Sequence, residues 1–332
     1  MITGYAVADG KLRSLADVVA EKDEAVWIDL LRPTADEEQT LETALGVDIP
    51  TKEEMQEIEV SSRLYIDNDM AFMTALLLAH GEGADPVLSP VTFALAGRRL
   101  ITIRYEEPRV FAAFPARAQK AAMGCADAES VLVGLLEAVV DRLADILEHA
   151  AGDADRISSG IFRPQRGGAR RARDFQRILV ELGQTGDLGS KIRDSLVTLE
   201  RLFGFLGLTL DQRLASRAGA DKKAEKELRA RIETLHRDAE SLTSHVSYMS
   251  QKITFLLDAT LGMINIEQNQ IIKIFSVVAV AFLPPTLIAS MYGMNFDLMP
   301  ELSSRYGYPA AVAAMVLSSV LPLLYFKRRG WL

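Results

Sequence analysis

Apolar and polar residues follow three different rhythms along this chain. In the first hundred residues the apolar positions come in short runs. Ala25-Val-Trp-Ile-Asp-Leu-Leu31 reads as a buried strand, and Met70–Ala79, Val91–Leu95 and Leu100–Tyr105 read as further strands, with Gly97 in a turn and Pro108 closing the series. Thr34-x-x-Glu37 and Thr51-x-x-Glu54 are capping-box signals for two short helices. Residues 1–105 are therefore expected to be mixed α/β. From 109 to 215 the spacing changes to three and four. Leu132, Leu135, Leu136, Val139, Val140, Leu143, Ile146 and Leu147 mark one face of a helix over Ser130–His149. A looser stretch covers Gly152–Gly168, and two more helices are expected over Arg170–Leu182 and Lys191–Phe205. From about Asp221 to Met291 no proline or turn cluster interrupts the pattern until Pro284-Pro285. This predicts one helix of about 70 residues, roughly 105 Å long. Such a helix needs support along its length, most simply from copies of itself.

The third rhythm is an absence of charge. Between Ile274 and Phe326 the only charged residues are Asp297, Glu301 and Arg305, and all three lie between two uncharged apolar runs. The runs, Ile274–Met291 and Tyr308–Phe326, have 18 and 19 residues. Each is long enough to cross a hydrocarbon core of about 30 Å as a helix, so both are expected to span a membrane. Lys273 stands before the first run and Lys327, Arg328 and Arg329 follow the second. By the positive-inside rule both termini are expected in the cytoplasm, with Tyr292–Gly307 outside. Asp297 and Glu301 give that outer loop an acidic character suited to attracting cations, or simply to being a solvated turn. Met1–Leu15 has no long apolar stretch, so no signal peptide is expected.

One face of the long helix stands out. At alternating spacings of three and four lie Asp258, Gly262, Asn265, Asn269, Ile272, Ser276, Ala279, Leu283, Thr286 and Ser290. Within the apolar run this face is small or polar, and Phe275, Val278 and Phe282 lie off it. Small residues favour close helix packing. Polar residues inside a membrane face an interior, which makes a pore lining the other possibility. Pro284 and Pro285 free backbone carbonyls that water or neighbouring helices must satisfy.

Composition removes several classes. The 332 residues are 49% hydrophobic and 25% charged with a net charge of −8, which is not the profile of a disordered chain. The single cysteine, Cys125, excludes an internal disulfide and a cysteine-based zinc cluster, and is expected to be a small buried or half-buried thiol. Net acidity argues against a general nucleic-acid binder. His80, His149, His236 and His245 form no ligand spacing, and Gly186-Asp-Leu-Gly-Ser-Lys191 lacks the spacing of a phosphate loop. No nucleophile elbow or kinase set occurs, so no enzyme is expected. The stretch Arg163 to Arg173 holds five arginines and no acid, a solvated basic loop or a patch for anionic headgroups.

The loop after the first run is the most specific feature. Tyr292-Gly293-Met294-Asn295-Phe296, followed by Met299-Pro300-Glu301-Leu302, resembles the signature of the CorA family of divalent-cation channels. The resemblance is strong over Leu256–Leu332, including Tyr306-Gly307-Tyr308-Pro309 and the tail ending Trp331-Leu332. It reaches more weakly to Trp27-Ile28-Asp29-Leu30 and Leu100-Ile101-Thr102-Ile103-Arg104.

The resemblance implies an α+β cytosolic domain, a long helical stalk and two C-terminal transmembrane helices in a funnel-shaped homopentamer. Its segments here would be the α/β domain 1–125, a helical region 126–220, the stalk 221–273, a first span 274–291, the loop 292–307, a second span 308–326 and a basic tail 327–332. Gly293, Met294 and Asn295 would form the selectivity filter, and Asp258, Asn269, Ile272, Leu283 and Thr286 would line the pore. Asp297 and Glu301 would draw cations to the mouth. Members carry a regulatory Mg2+ site between subunits. Thr234 stands at its stalk position here, with Glu233 and Asp238 as the nearby carboxylates. At the position of Ile272 many members have Met; Ile keeps an apolar collar and stiffens it. The implied function is influx of Mg2+, and of Co2+ or Ni2+, across the inner membrane, with no cofactor beyond the transported or regulatory ion. A zinc transporter of the ZntB branch shares the architecture and is the nearest alternative. Met294 and the Met-Pro-Glu-Leu loop favour the magnesium branch. A membrane-anchored signalling or scaffold protein is the distant one, and no motif supports it.

Overall fold

The computed structural model describes residues 1–80, 86–121, 123–162, 168–215, 222–294, 304 and 306–331. The first third forms one seven-stranded sheet from β1 (Ile2–Ala8), β2 (Lys11–Ser14), β3 (Trp27–Leu31), β4 (Leu64–Asp67), β5 (Met70–His80), β6 (Pro86–Ala96) and β7 (Arg99–Arg104). The order is β2-β1-β3-β7-β6-β5-β4, and only β3 and β7 run parallel. β3 and β7 lie in the middle of the sheet, and apart from Leu31 and Arg99 their residues are buried.

Two hairpins went beyond the strands expected from apolar runs, and their turns explain them. Asp9 and Gly10, between β1 and β2, have φ of 52° and 72°; Asn68 and Asp69, between β4 and β5, have φ of 48° and 63°. Two consecutive left-handed residues make the tight turn that matches strand twist, and Asp, Asn and Gly tolerate it best. β6 also begins five residues before the expected Val91. Its extra half pairs only with β5, so the prolines at 86 and 90 interrupt no second ladder. Opposite Pro90, the Leu76 N–H bonds Thr198 Oγ1 at 2.9 Å instead of crossing the sheet.

Alternation divides the sheet into two faces. Ile28, Leu30, Phe72, Ala94, Ile101 and Ile103 pack with Leu41 of α1 (Ala35–Leu45) and Met55 of α2 (Lys52–Met55). Both helices open with the expected capping boxes, on Thr34 with Glu37 and on Thr51 with Glu54. A one-turn helix α3 (Val60–Arg63) precedes β4. The other face carries Trp27, whose ring meets Phe111 and Phe114 of α4 (Val110–Lys120) at 6.4 and 6.1 Å. Cys125 is buried and free, and burial pushes its thiol pKa up, as a structural thiol requires.

Three long helices follow. α5 (Ala128–Phe162) runs through the stretch expected to be loose. Its tail is still amphipathic: Ala150, Ala154, Ile157 and Ile161 continue the buried face at spacings of three and four. α6 (Gly168–Ala215) joins the two expected helices into one. Two of the glycines between them, Gly186 and Gly189, face the helix that follows rather than break this one. A Cβ on Gly189 would come within 2.9 Å of Met249 Cε, and one on Gly186 within 3.7 Å of Ile253 Cγ2. α7 (Lys222–Tyr292) is 71 residues long, as the uninterrupted pattern requires, and α8 (Gly307–Arg328) follows.

By compactness the chain divides into two units, residues 1–164 with 179–256, and residues 165–178 with 257–332. In the first, α7 buries Leu228, Ile232, Leu235, Ala239, Val246, Met249, Ile253 and Leu256 along one seam. Arg231 on α7 makes a two-pronged salt bridge to Glu137 of α5, with both contacts at 2.7 Å, and these bonds raise its pKa further. Thr243 donates to Glu200 of α6, and Lys252 pairs with Asp155 of α5. The second unit contains two helices long and apolar enough to cross a membrane, the end of α7 and α8.

Candidate functional site

The expected stripe lies on α7 within the second unit. Val277 and Ala281, 3% and 4% exposed, are the buried positions of the apolar run. Around the helix they lie opposite Ser276, Ala279, Leu283 and Thr286. Ala311 is the buried residue of α8. Small residues at these places allow close helix approach.

The stripe itself is uncovered. Asp258, Asn265, Asn269, Ser276, Ala279, Thr286 and Ser290 are exposed in the single chain, with Gly262 intermediate. Ile272 and Leu283 are 60% and 66% exposed on the same line. From Asp258 to Thr286 the stripe runs about 42 Å along the helix. Within the apolar run, the Thr286 hydroxyl donates to the Phe282 carbonyl at 2.7 Å. That bond uses its proton and leaves oxygen lone pairs as acceptors. Helix α7 continues through Pro284 and Pro285, so the Val280 and Ala281 carbonyls lose their usual intrahelical donors.

Helix α7 ends at the expected filter. The Gly293 N–H lies 3.0 Å from the Ala289 carbonyl and 3.2 Å from that of Ser290, and the Met294 N–H lies 3.4 Å from that of Met291. A Cβ at Gly293 would come within 3.2 Å of the Ala289 oxygen, so a side chain there presses on the helix end. Met294 is half exposed at 49%. Asn295, Asp297 and Glu301 lie outside the described residues, as does most of the arginine-rich stretch up to the start of α6 at Gly168.

The two carboxylates expected near a regulatory ion are not brought together. Glu233 pairs with Arg237 one turn on, at 2.8 Å. Asp238 lines a different face, in a cavity of about 410 Å³ with Glu137, Asp141, Glu227, Arg231 and Thr234. Five residues on one helix are about 140° apart, which is why the two diverge. Among the described residues no three of His, Cys, Asp and Glu are grouped to hold a metal ion.

The weak N-terminal resemblance coincides with a buried polar network that sequence reading did not assemble. Arg104 Nη2 meets Asp29 Oδ2 at 2.8 Å, Thr102 Oγ1 donates to Asp29 Oδ1 at 2.7 Å, and Trp27 Nε1 donates to Thr102 at 2.9 Å. Phe111 lies under the guanidinium at 4.6 Å. The signal was present as polar residues inside apolar strands at every second position, which puts them on one face.

The second unit has one more defined contact. The Trp331 N–H bonds the Phe326 carbonyl at 3.0 Å, and the Gly330 N–H bonds that of Lys327 at 3.2 Å, with Gly330 at φ 72°. This is a Schellman cap closing α8, and glycine directly after a basic last turn was its sequence signal. Trp331 stacks on Phe326 at 5.2 Å and carries Lys273 Nζ above its ring at 5.8 Å.

Comparison with known proteins agrees with this geometry. The family described as CorA-like Mg2+ transporter protein matches residues 22–328. The chain is 36% identical over 332 residues to the magnesium transport protein CorA of Haemophilus influenzae, covering all of both chains. It is 37% identical over 308 residues to that of Escherichia coli K12, covering 93% of this chain and 92% of the relative. Its fold is similar to the complete structure of the CorA magnesium transporter of Methanocaldococcus jannaschii, with a TM-score of 0.66 at 18% identity, covering 100% of this chain and 99% of that one. The α/β domain, the 71-residue helix and the paired C-terminal membrane helices are thus those of a membrane protein of the CorA-like Mg2+ transporter family, to which this chain belongs.

Proposed function

We propose that this chain is the subunit of a homopentameric channel that admits Mg2+, and with it Co2+ or Ni2+, through the inner membrane into the cytoplasm. The observation that carries this reading is the stripe of small and polar residues on α7, exposed in the single chain. Ser276, Thr286 and Ser290 share one face of this membrane helix, and polar residues inside a membrane face water or polar groups. Copies of α7 around an axis, with this face inward, give the stripe such an interior. The relatives are magnesium transport proteins, which supplies the class of ion.

The chemistry follows from Mg2+ itself. It is small, hard and gives up its waters reluctantly, so it is best passed as a hydrated ion. Neutral carboxamide and backbone oxygens of Gly293, Met294 and Asn295 hold those waters without stripping them, and release the ion as fixed carboxylates would not. The C-terminal end of α7 adds partial negative charge at the mouth, and Asp297 and Glu301 add full charges. Inside, Thr286 and Asn269 offer oxygens to the hydration shell. Ile272 and Leu283 form apolar collars that close by dewetting. Asp258 stands at the cytoplasmic end of this face. No catalytic group takes part. An inside-negative potential supplies about 4.6 kcal/mol per 100 mV for a divalent ion.

The test is flux into proteoliposomes with Mg2+, Co2+, Ni2+ and Zn2+, with and without a proton gradient. Mg2+ influx is expected to follow the imposed potential and to ignore the proton gradient. Asn295→Ala is expected to abolish it while the oligomer keeps its size in detergent. Full uptake by that variant removes Asn295 from the filter. Zinc flux that requires the proton gradient, without Mg2+ flux, assigns the chain to the zinc-transporting branch.

A further inference from the structure

This inference rests on the channel proposed above and adds a positioning residue to it. Lys273 is the last charge before the first apolar run and directly follows Ile272, the cytoplasmic collar position. Copies of α7 around a pore axis would bring the same number of ammonium groups to the collar. A ring of positive charge there repels a divalent cation leaving the pore. Lysine is long and flexible, and nothing in α7 itself fixes where its ammonium lies.

The end of α8 fixes it. The Schellman cap folds Trp331 back onto Phe326, with the two rings 5.2 Å apart and inclined by 22°. The glycine at φ 72° makes that reversal possible without strain. The indole then lies 5.8 Å from Lys273 Nζ. Tryptophan is the strongest ring partner for an ammonium group. The neighbouring Arg329 does not compete for this ring, since its guanidinium lies over Tyr325 at 5.7 Å. Around α7, Lys273 stands about 100° from Ile272 and about 40° from the buried Val277. The contact therefore draws the ammonium toward the covered side of the helix and away from the stripe.

We infer that Trp331 is a positioning residue for conduction: it holds the Lys273 ammonium off the exit of the pore. Its effect on flux acts through that charge and not through the stability of the tail. The juxtaposition joins the C-terminus of the chain, reached through the second span, to the cytoplasmic end of the first.

The experiment uses the full chain in proteoliposomes, with Mg2+ influx measured at one fixed inside-negative potential. W331L keeps an apolar body over Phe326 but has no ring for the cation, and is expected to lower influx about threefold. W331F keeps a ring and is expected to retain most of the flux. K273Q removes the charge that needs placing, so K273Q/W331L is expected to conduct like K273Q alone. Oligomer size in detergent is read for every variant. Wild-type influx by W331L, or a loss that persists in K273Q/W331L, overturns the inference. No Mg2+ influx in the wild-type chain overturns the channel assignment, and this inference with it, before any variant is compared.

Discussion

Asp29 and Arg104 show how much depends on a pairing between distant residues. Both side chains are almost fully enclosed, 7% and 9% exposed, in adjacent parallel strands. Each charge is tolerable there because the other, Thr102 and the Phe111 ring complete its surroundings. Removing one partner leaves the other buried and unpaired, at a cost of about 3–5 kcal/mol. Asp29→Ala is therefore expected to lower the thermal midpoint of the detergent-solubilised chain clearly. Asp29→Ala combined with Arg104→Met is expected to recover most of the loss. A double variant no better than the single one contradicts the account. In the sequence these residues were visible as polar interruptions of apolar strands. Their partnership was not, because 75 positions separate them and only the β3–β7 pairing joins them.

Helices α6 and α7 carry the same lesson in their glycines. Gly183, Gly186 and Gly189 read as a break between two helices, since glycine lowers helix stability by up to about 1 kcal/mol each. The helix persists because its buried residues, Leu182, Ile192, Leu196 and Leu199 among them, hold it against its neighbours. Gly189 faces Met249, whereas nothing lies within 4 Å of a Cβ on Gly183. The two are thus expected to respond oppositely. Gly183→Ala stabilises the chain by about 0.5–1 kcal/mol through helix propensity alone. Gly189→Leu overpacks the helix pair and costs about 1–3 kcal/mol. Gly189→Ala falls between, because the flexible Met249 tip can move aside. Midpoints of unfolding for the three variants decide this order. The length of α7, by contrast, was legible, since a period maintained without interruption depends only on neighbours in the chain.

For the whole molecule the informative fact is that the small and polar stripe of α7 is exposed in the single chain. Outside residues 274–326 and the basic tail, the chain has 33 Lys and Arg against 43 Asp and Glu, so the rest of the chain is acidic. Asp258 is the first residue of the stripe. Asp258→Ala is expected to change the dependence of open probability on cytoplasmic Mg2+ while leaving assembly and the thermal midpoint near wild type. Single-channel or flux measurements across cytoplasmic Mg2+ concentrations test it, and an unchanged dependence removes Asp258 from the conduction path. The apolar runs, their orientation signals and the Gly-Met-Asn loop were all readable beforehand. The same small residues serve close packing and a pore lining alike, so the stripe by itself does not choose between them.

Charge-free runs, capping boxes, helical periods and the loop motif are local properties, set by covalent neighbours and by the aversion of charge to hydrocarbon, and the amino-acid order settled them alone. Folding settled which of them meet. It tolerated Pro86 and Pro90 in a strand that lacks a second neighbour there, carried α6 across its glycines, and closed Asp29 on Arg104. It also seated Trp331 beside Lys273. Each of these depends on what is desolvated against what, and that is decided only when elements far apart in the chain are packed together.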